Sequence, residues 1–264
     1  MSDRKIAVIT GGSKGLGLAM AKFLSTKEGY FVLLIARSKS ELNKAVIEIN
    51  KIKGEAAAYE ADVSDAASVR NIVREIREKY GGIDFLINNA CLVHVGELVD
   101  LQHEEIKKDI EIGLFGSILC TKLFLPIMNN RGKILFISSG FGLIGPAGYS
   151  VYAAIKAGII NFAESIKREA RKMSVNVYVA VPSDIDTPGY RDEIESMPKW
   201  MSLAQARGRV MSSDVAAAKI LSKCRGVNTL IFINFNISAL YLMIRILPRN
   251  ILDFILDQIF PAPR

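Results

Sequence analysis

The chain has 264 residues, half of them hydrophobic, with a formal charge of +7 and an isoelectric point near 9.2. Its Lys and Arg are scattered among acids rather than gathered into a block, which argues against nucleic-acid binding and for a polyanionic cofactor or an acidic membrane surface. Cys91, Cys120 and Cys224 are odd in number and widely spaced, so they read as reduced structural thiols, and no metal site is expected. One α/β sheet covered on both faces accounts for this length, and no linker or repeat divides the chain, so 1–264 reads as a single domain. Met1 to Lys5 lead straight into the first apolar run, so no signal peptide is expected and a cytoplasmic location is.

Residues 5–10 (KIAVIT) predict a buried strand, followed at once by Gly11-Gly-Ser-Lys-Gly-Leu-Gly17 and the helical spacing of Leu18, Met20, Phe23 and Leu24. A strand, a glycine turn and a helix N-terminus can cradle a pyrophosphate, with Gly11, Ser13, Lys14, Gly15, Leu16 and Gly17 as candidate contacts. A plain strand-to-helix turn would use the same residues. Residues 30–36 predict the second strand, and Arg37 after it suits a 2′-phosphate where an acid would suit a ribose 2′-hydroxyl. With Lys14 nearby, this favours NADPH over NADH. Ser38-Lys-Ser-Glu41 has the form of a capping box, so Ser38 starts a helix to residue 53, touches the cofactor, or does both.

A third strand over 55–61 ends in Asp62-Val63, and Asp62 or Ser64 could cap the helix expected over 65–80. Residues 83–87 predict a strand leading into Asn88-Asn89-Ala90. His94 and His103, the only histidines, have no partner at metal or triad spacing and read as ordinary loop or surface residues. Residues 106–128 read as helical with a wide apolar face and a break expected near Gly113 and Gly116.

A strand over 133–138 leads into Ser139, a Gly-rich link, and Tyr152-Ala-Ala-Ile-Lys156. Tyr152 and Lys156 are four apart in a helical pattern over 151–171, which places them on one face a turn apart. A tyrosine titrates near ~10, and a neighbouring ammonium is expected to lower that value toward neutrality. Ser139 could aim its hydroxyl at the same substrate oxygen, and three such groups suit a carbonyl/alcohol interconversion. Alone, Tyr-x-x-x-Lys could equally be a helix face with a solvated lysine.

A strand over 174–181 precedes Pro182-Ser-Asp-Ile-Asp-Thr-Pro-Gly-Tyr190. Residues 183–211, with Met197, Trp200 and Met201, read either as a lid over a greasy substrate or as a packed surface helix. Ser212 to Asp214 can cap a helix over 215–224, and 229–234 is a final strand. The extension 235–264 is apolar but broken at Pro248, leaving about a dozen residues before it, too few for the roughly 20 that span a bilayer. Asp253 and Asp257 lie opposite Leu252, Ile255, Leu256 and Ile259, so the last segment is amphipathic. It lies in a membrane interface, lines a long-chain pocket, contacts another subunit, or packs on its own domain.

Thr10-Gly-x-x-x-Gly-x-Gly17 together with Ser139 and Tyr152-x-x-x-Lys156 resemble the short-chain dehydrogenase/reductase family over residues 5 to about 234. The resemblance implies a Rossmann-type doubly wound parallel sheet of about seven strands with helices on both faces, here with an apolar C-terminal helical extension. It implies an NADPH/NADP-dependent oxidoreductase, a homodimer or tetramer paired through the long helix, and catalytic roles for Ser139, Tyr152 and Lys156. Tyr152 and Lys156 would also meet the nicotinamide ribose, Asp62 and Val63 the adenine, Asn89 and Ala90 the ribose through backbone, and Thr187 the carboxamide and phosphate. Two positions depart from the family: Cys91 replaces a glycine, and Gly113 replaces an asparagine that holds a water between lysine and solvent. Proton resupply is the expected casualty. The 182–190 run, the strand before it, Ala36-Arg37, Gly116-Ser117 and the apolar tail are similar to a subgroup, the 3-ketodihydrosphingosine reductases. That likeness implies a lipid-like ketone substrate, a long-chain sphingoid base first and a steroid, retinoid or fatty ketone otherwise, with peripheral membrane contact through the tail. A dinucleotide-binding scaffold without catalysis is the rival class.

Overall fold

The computed structural model describes residues 4–198, 200–201, 210–226 and 229–259. Short apolar runs alternate with amphipathic helices along most of the chain, and that alternation winds into a parallel sheet covered on both faces. The order is β1 (Ile6–Thr10), α1 (Gly15–Lys27), β2 (Phe31–Ala36), α2 (Lys39–Lys51), β3 (Ala56–Glu60), α3 (Ala66–Tyr80) and β4 (Ile83–Asn88). There follow α4 (His103–Ile110), a π-helical turn (Glu111–Phe115), α5 (Gly116–Phe124), β5 (Met128–Ile137), α6 (Ser150–Ala170) and β6 (Asn176–Val181). The last third holds β7 (Ile185–Asp186), α7 (Pro188–Ser196), β8 (Met211–Ser212), α8 (Ser213–Lys223), β9 (Leu230–Phe232), α9 (Phe235–Ile246) and α10 (Arg249–Ile259).

Seven strands pair in the order β3-β2-β1-β4-β5-β6-β9, all parallel, while β7 and β8 form a separate two-residue pair. The alternation of strand side chains explains the two layers of helices. Ile6 and Val8 of β1 point to the face covered by α3, α5 and α6, and Ala7 and Ile9 to the face covered by α1, α2 and α8. Every residue of β1 is therefore buried. Strand order reverses at β1, between β2 and β4, which opens a cleft at the carboxyl ends of those strands.

Some local boundaries differ from expectation for identifiable reasons. β5 begins at Met128 rather than 133, because polar Asn129, Asn130 and Arg131 continue the strand through a register shift opposite Ile83 and Phe85. Asn129 holds that start by donating to Asp84 Oδ1 at 2.9 Å. The long helix does not break at its glycines. It passes from α4 to α5 through the π-helical turn that contains Gly113. At 103–127 this is the one helix among the described residues long and apolar enough to cross a membrane, and half of it is buried in the fold.

The tail packs only partly. Tyr241 of α9 stacks against Phe232 of β9 with ring centroids 5.0 Å apart, and Leu252 of α10 is buried. Phe235 and Phe254 stay 85% and 68% exposed, with Leu242 and Ile246 exposed beside them. On α10, Asp253 pairs with Arg249 at 2.9 Å.

Candidate active site

The cofactor side of the cleft is made mostly of backbone. Thr10 ends β1, and its hydroxyl accepts from Asn89 N at 3.0 Å and Ala90 N at 3.1 Å while donating to Ile87 O. Asn89 replies through Nδ2, which donates to Thr10 O at 3.0 Å and Gly11 O at 3.1 Å. These bonds lock the tips of β1 and β4 together. Gly11 turns the chain with φ +63°, and a Cβ there would stand 2.9 Å from Asn89 Nδ2. A Cβ on Gly17 would run into the Gly11 carbonyl. No side chain caps the start of α1, so its first N–H groups are left for an anion.

The cleft in front of this turn is a cavity of about 450 Å³. Gly11, Ser13, Lys14, Gly15, Leu16, Arg37, Ser38, Asp62, Val63, Asn89, Ala90 and Thr187 all line it. Gly17 lies behind the turn and acts by leaving room. These residues fit a dinucleotide: the glycines give a cradle that a side chain would fill, and exposed Arg37 and Lys14 stand where a 2′-phosphate would need cations. Glu41 also lines the cavity, 3.5 Å from Ser13 Oγ and 4.0 Å from Lys14 Nζ. Its sequence signal was the capping box, of which one half forms: Ser38 accepts from Glu41 N at 3.4 Å.

Asp62 and Ser64 do not cap α3. Asp65 does, accepting from Ala67 N and Ser68 N. Asp62 instead closes its own turn, its Oδ1 accepting from Ser64 N at 2.9 Å and Ser64 Oγ at 2.6 Å, which leaves it on the cavity wall.

The candidate catalytic groups converge where β5 ends beside α6. Ser138 is buried and structural, donating to Lys156 O at 2.9 Å. Ser139, one residue on, begins the turn Gly140–Gly142 and accepts from Phe141 N at 3.2 Å. Lys156 is 5% exposed, donates from Nζ to Ile137 O at 2.8 Å, and lies 5.3 Å from the centre of the Tyr152 ring. The expected lowering of the Tyr152 pKa is not found. Burial first, then the charges of Cys91, Glu193 and Asp184, push the phenol well above the ordinary tyrosine value, and a hydrogen bond from Ser139 works the other way. The Lys156 ammonium beside the ring donates to the Ile137 carbonyl, and burial together with the acidic neighbours outweighs the Ser139 bond, so the phenol keeps its proton.

Several neighbours escape a reading of spacing. Tyr149 donates to Glu193 Oε1 at 2.5 Å and stacks 6.1 Å from Tyr152 and 4.7 Å from Phe141. His94 is not an ordinary loop residue: its Nδ1 and backbone N both bond the buried Asp109, at 2.8 and 2.9 Å, tying the segment after β4 to α4. The two departures from the family pattern face one another. A Cβ on Gly113 would stand 2.9 Å from Ile155 Cγ2 and 3.3 Å from Cys91 Sγ, so the thiol and Ile155 occupy the room a side chain at 113 would need.

Thr187 caps α7 by accepting from Tyr190 N at 3.0 Å and also packs against Gly15, across the cofactor cleft. Of the 183–211 segment, α7 buries none of its residues, whereas Met201 is buried against Gly148. Residues 199 and 202–209 lie outside the described residues.

The family of short chain dehydrogenases matches residues 5–197. A 3-dehydrosphinganine reductase from Danio rerio is 32% identical over 223 residues, covering 82% of this chain and 67% of that protein. A 3-oxoacyl-[acyl-carrier-protein] reductase from Synechocystis is also 32% identical, covering 69% of this chain and 75% of its own length. A short chain dehydrogenase from Burkholderia cenocepacia, crystallised in complex with NADP, superposes with a TM-score of 0.78 at 27% identity, covering 89% of this chain and 98% of that one. The chain spans about two thirds of the length of the vertebrate 3-dehydrosphinganine and 3-ketodihydrosphingosine reductases it matches. With the glycine cradle, the parallel sheet and the family match running through one continuous region, the chain belongs to the short chain dehydrogenase family.

Proposed function

We propose that the chain is an NADPH-dependent carbonyl reductase acting on the 3-keto group of a long-chain sphingoid base. The observation that carries the chemistry is a proton-retaining Tyr152 with Ser139 hydrogen-bonded to it and Lys156 Nζ 5.3 Å from its ring centre. The sphingoid assignment is supported by relatives named for that reaction and by the apolar tail beside the site.

When bound, the nicotinamide supplies a hydride for the carbonyl carbon. Gly11, Gly15 and the α1 N-terminus hold the pyrophosphate, with Ser13 and Leu16 on the same wall, and Arg37, Lys14 and Ser38 take the 2′-phosphate. Asp62 and Val63 flank the adenine, Asn89 and Ala90 the ribose, and Thr187 the nicotinamide end. Ser139 donates to the keto oxygen, fixing it against Tyr152, and Tyr152 gives that oxygen its proton. Lys156 holds the ribose hydroxyls and stabilises the phenolate left behind.

The exposed row Phe235, Leu242, Ile246 and Phe254, flanked by Arg245 and Arg249, supports peripheral attachment to an anionic lipid surface. Exposed Ile110 and Phe115 on the long helix support pairing of two copies there. A second reading has one specific support, the acyl-carrier-protein reductase likeness: a 3-oxoacyl thioester as substrate.

The test follows NADPH oxidation with 3-ketodihydrosphingosine in detergent micelles, against NADH, a 3-oxoacyl thioester and a short water-soluble ketone. Selective turnover of the sphingoid ketone with NADPH is expected. Turnover of the thioester alone would sink the sphingoid assignment and keep the reductase.

A further inference from the structure

The 182–190 run carries two aspartates that fold into unlike surroundings. Asp186 is exposed and accepts from Arg191 Nε and Nη2 at 2.9 and 3.1 Å. Its charge is accounted for by that pair. Asp184 is half-buried, and among the described residues its carboxylate has no hydrogen bond and no cation. Burial alone acts on its carboxyl, pushing it up, with nothing pulling it back. A carboxylate partly withdrawn from water and left without a partner, yet still open to it, is where a cationic ligand can be met.

Its place is fixed by backbone. Asp184 O accepts from Met211 N at 3.1 Å, Ser183 N donates to Asn234 Oδ1 at 3.3 Å, and Pro182 O accepts from Gly140 N at 3.0 Å, next to Ser139. The charge of Asp184 bears on Tyr149, Tyr152 and Tyr190. Yet Asp184 is absent from the wall of the dinucleotide cavity, which takes Thr187, Pro188 and Gly189 from the same run. The Gly140–Pro182 bond thus sets the part of the run that carries Asp184 beside the Ser139 turn and outside that cavity. The basic groups on flanking elements are engaged elsewhere, Arg191 by Asp186 and Lys156 by the Ile137 carbonyl. Glu193, bonded to Tyr149, is a second carboxylate whose charge bears on Tyr152 and Tyr190.

We propose that Asp184 is the counter-ion for a protonated amine carried beside the reacting ketone, and so the residue by which this site selects 2-amino ketones over ketones lacking a cation. The identity of the substrate rests on the sphingoid reading above; the amine site itself rests on Asp184. An ammonium held there sits one carbon from a carbonyl directed at Ser139 and Tyr152, so one ion pair sets the register of the reacting bond. A 3-oxoacyl thioester has no group to make that contact.

The NADPH-loaded full chain and its D184N variant would be compared on 3-ketodihydrosphingosine and on its 2-deamino analogue of equal chain length. The expected result is that the ratio of kcat/KM for the two substrates falls about tenfold or more in D184N, the change worth one desolvated charge pair. Equal slowing of both substrates would overturn the proposal. Binding of dihydrosphingosine to the NADP-loaded protein, followed by calorimetry, gives a readout independent of turnover. Affinity about tenfold weaker in D184N upholds the amine site even if the wild type reduces only the deamino ketone, an outcome that discards the sphingoid reading. Unchanged affinity overturns the amine site whatever the turnover.

Discussion

Thr10, in the glycine cradle, and Tyr149, beside the candidate catalytic groups, are wired in opposite ways. Thr10 bonds almost entirely to backbone, at Ile87, Asn89 and Ala90, and the glycines around it are packed so closely that Cβ atoms would collide. Tyr149 meets side chains instead: Glu193 through its hydroxyl, Phe141 and Tyr152 through its ring. A wall of backbone binds what every member of a family shares and tolerates little change. A wall of side chains can be rewritten one residue at a time without moving the sheet.

The largest test of this contrast is on the chemistry between the two walls. Tyr152→Phe is expected to lower turnover by roughly 10²–10⁴ while NADPH titration by fluorescence stays within about twofold. Because the Tyr152 pKa is raised, its proton persists to higher pH, so wild-type reduction should hold level through neutral pH and fall only on the alkaline side. A reduction rate that already declines from pH 6 to 8 would contradict a proton-retaining Tyr152.

On the backbone wall, Gly17→Ala should weaken NADPH binding on the order of 100-fold, since its methyl meets the Gly11 carbonyl. Binding within threefold of wild type would erase the distinction between the walls. Arg37→Ala should cost about tenfold in NADPH affinity and little for NADH, shrinking the preference between them, as expected for one charge-assisted contact to a phosphate.

The smallest effect concerns how the walls meet. Gly113→Asn should destabilise the fold by about 1–3 kcal/mol in urea titration, because Ile155 and Cys91 fill its space. Adding Cys91→Gly should recover part of that loss, with a coupling of about 0.5 kcal/mol or more. Strict additivity would mean that the two residues do not share one gap.

How much of this was legible in the sequence follows from range. Gly11 to Gly17 and Tyr152 to Lys156 were readable because turn chemistry and helix spacing act within a few residues. The central strands were readable because a parallel strand buried on both faces is an unbroken apolar run, as in Ile6–Thr10 and Phe31–Ala36. What the spacing of Tyr152 and Lys156 could not carry was their surroundings: the carbonyl that engages the ammonium and the burial that raises the phenol arrive from β5 and the loops. Likewise Cys91 facing Gly113, and His94 bonded to Asp109, join residues far apart in the chain. Asp184 and Asp186 are the same residue type two positions apart, and only their solvent and partners tell them apart.

One contact ties the greasy tail to the candidate catalytic loop. Ile237, in the first turn of α9, lies 2.8 Å from where a Cβ on Gly140 would stand, one residue after Ser139. The tail is thus also a wall of the workshop. A shortened chain made to shed the apolar helices for easier handling would uncover the floor beneath Ser139, so a gain in solubility would come with a loosened serine and a poorer enzyme.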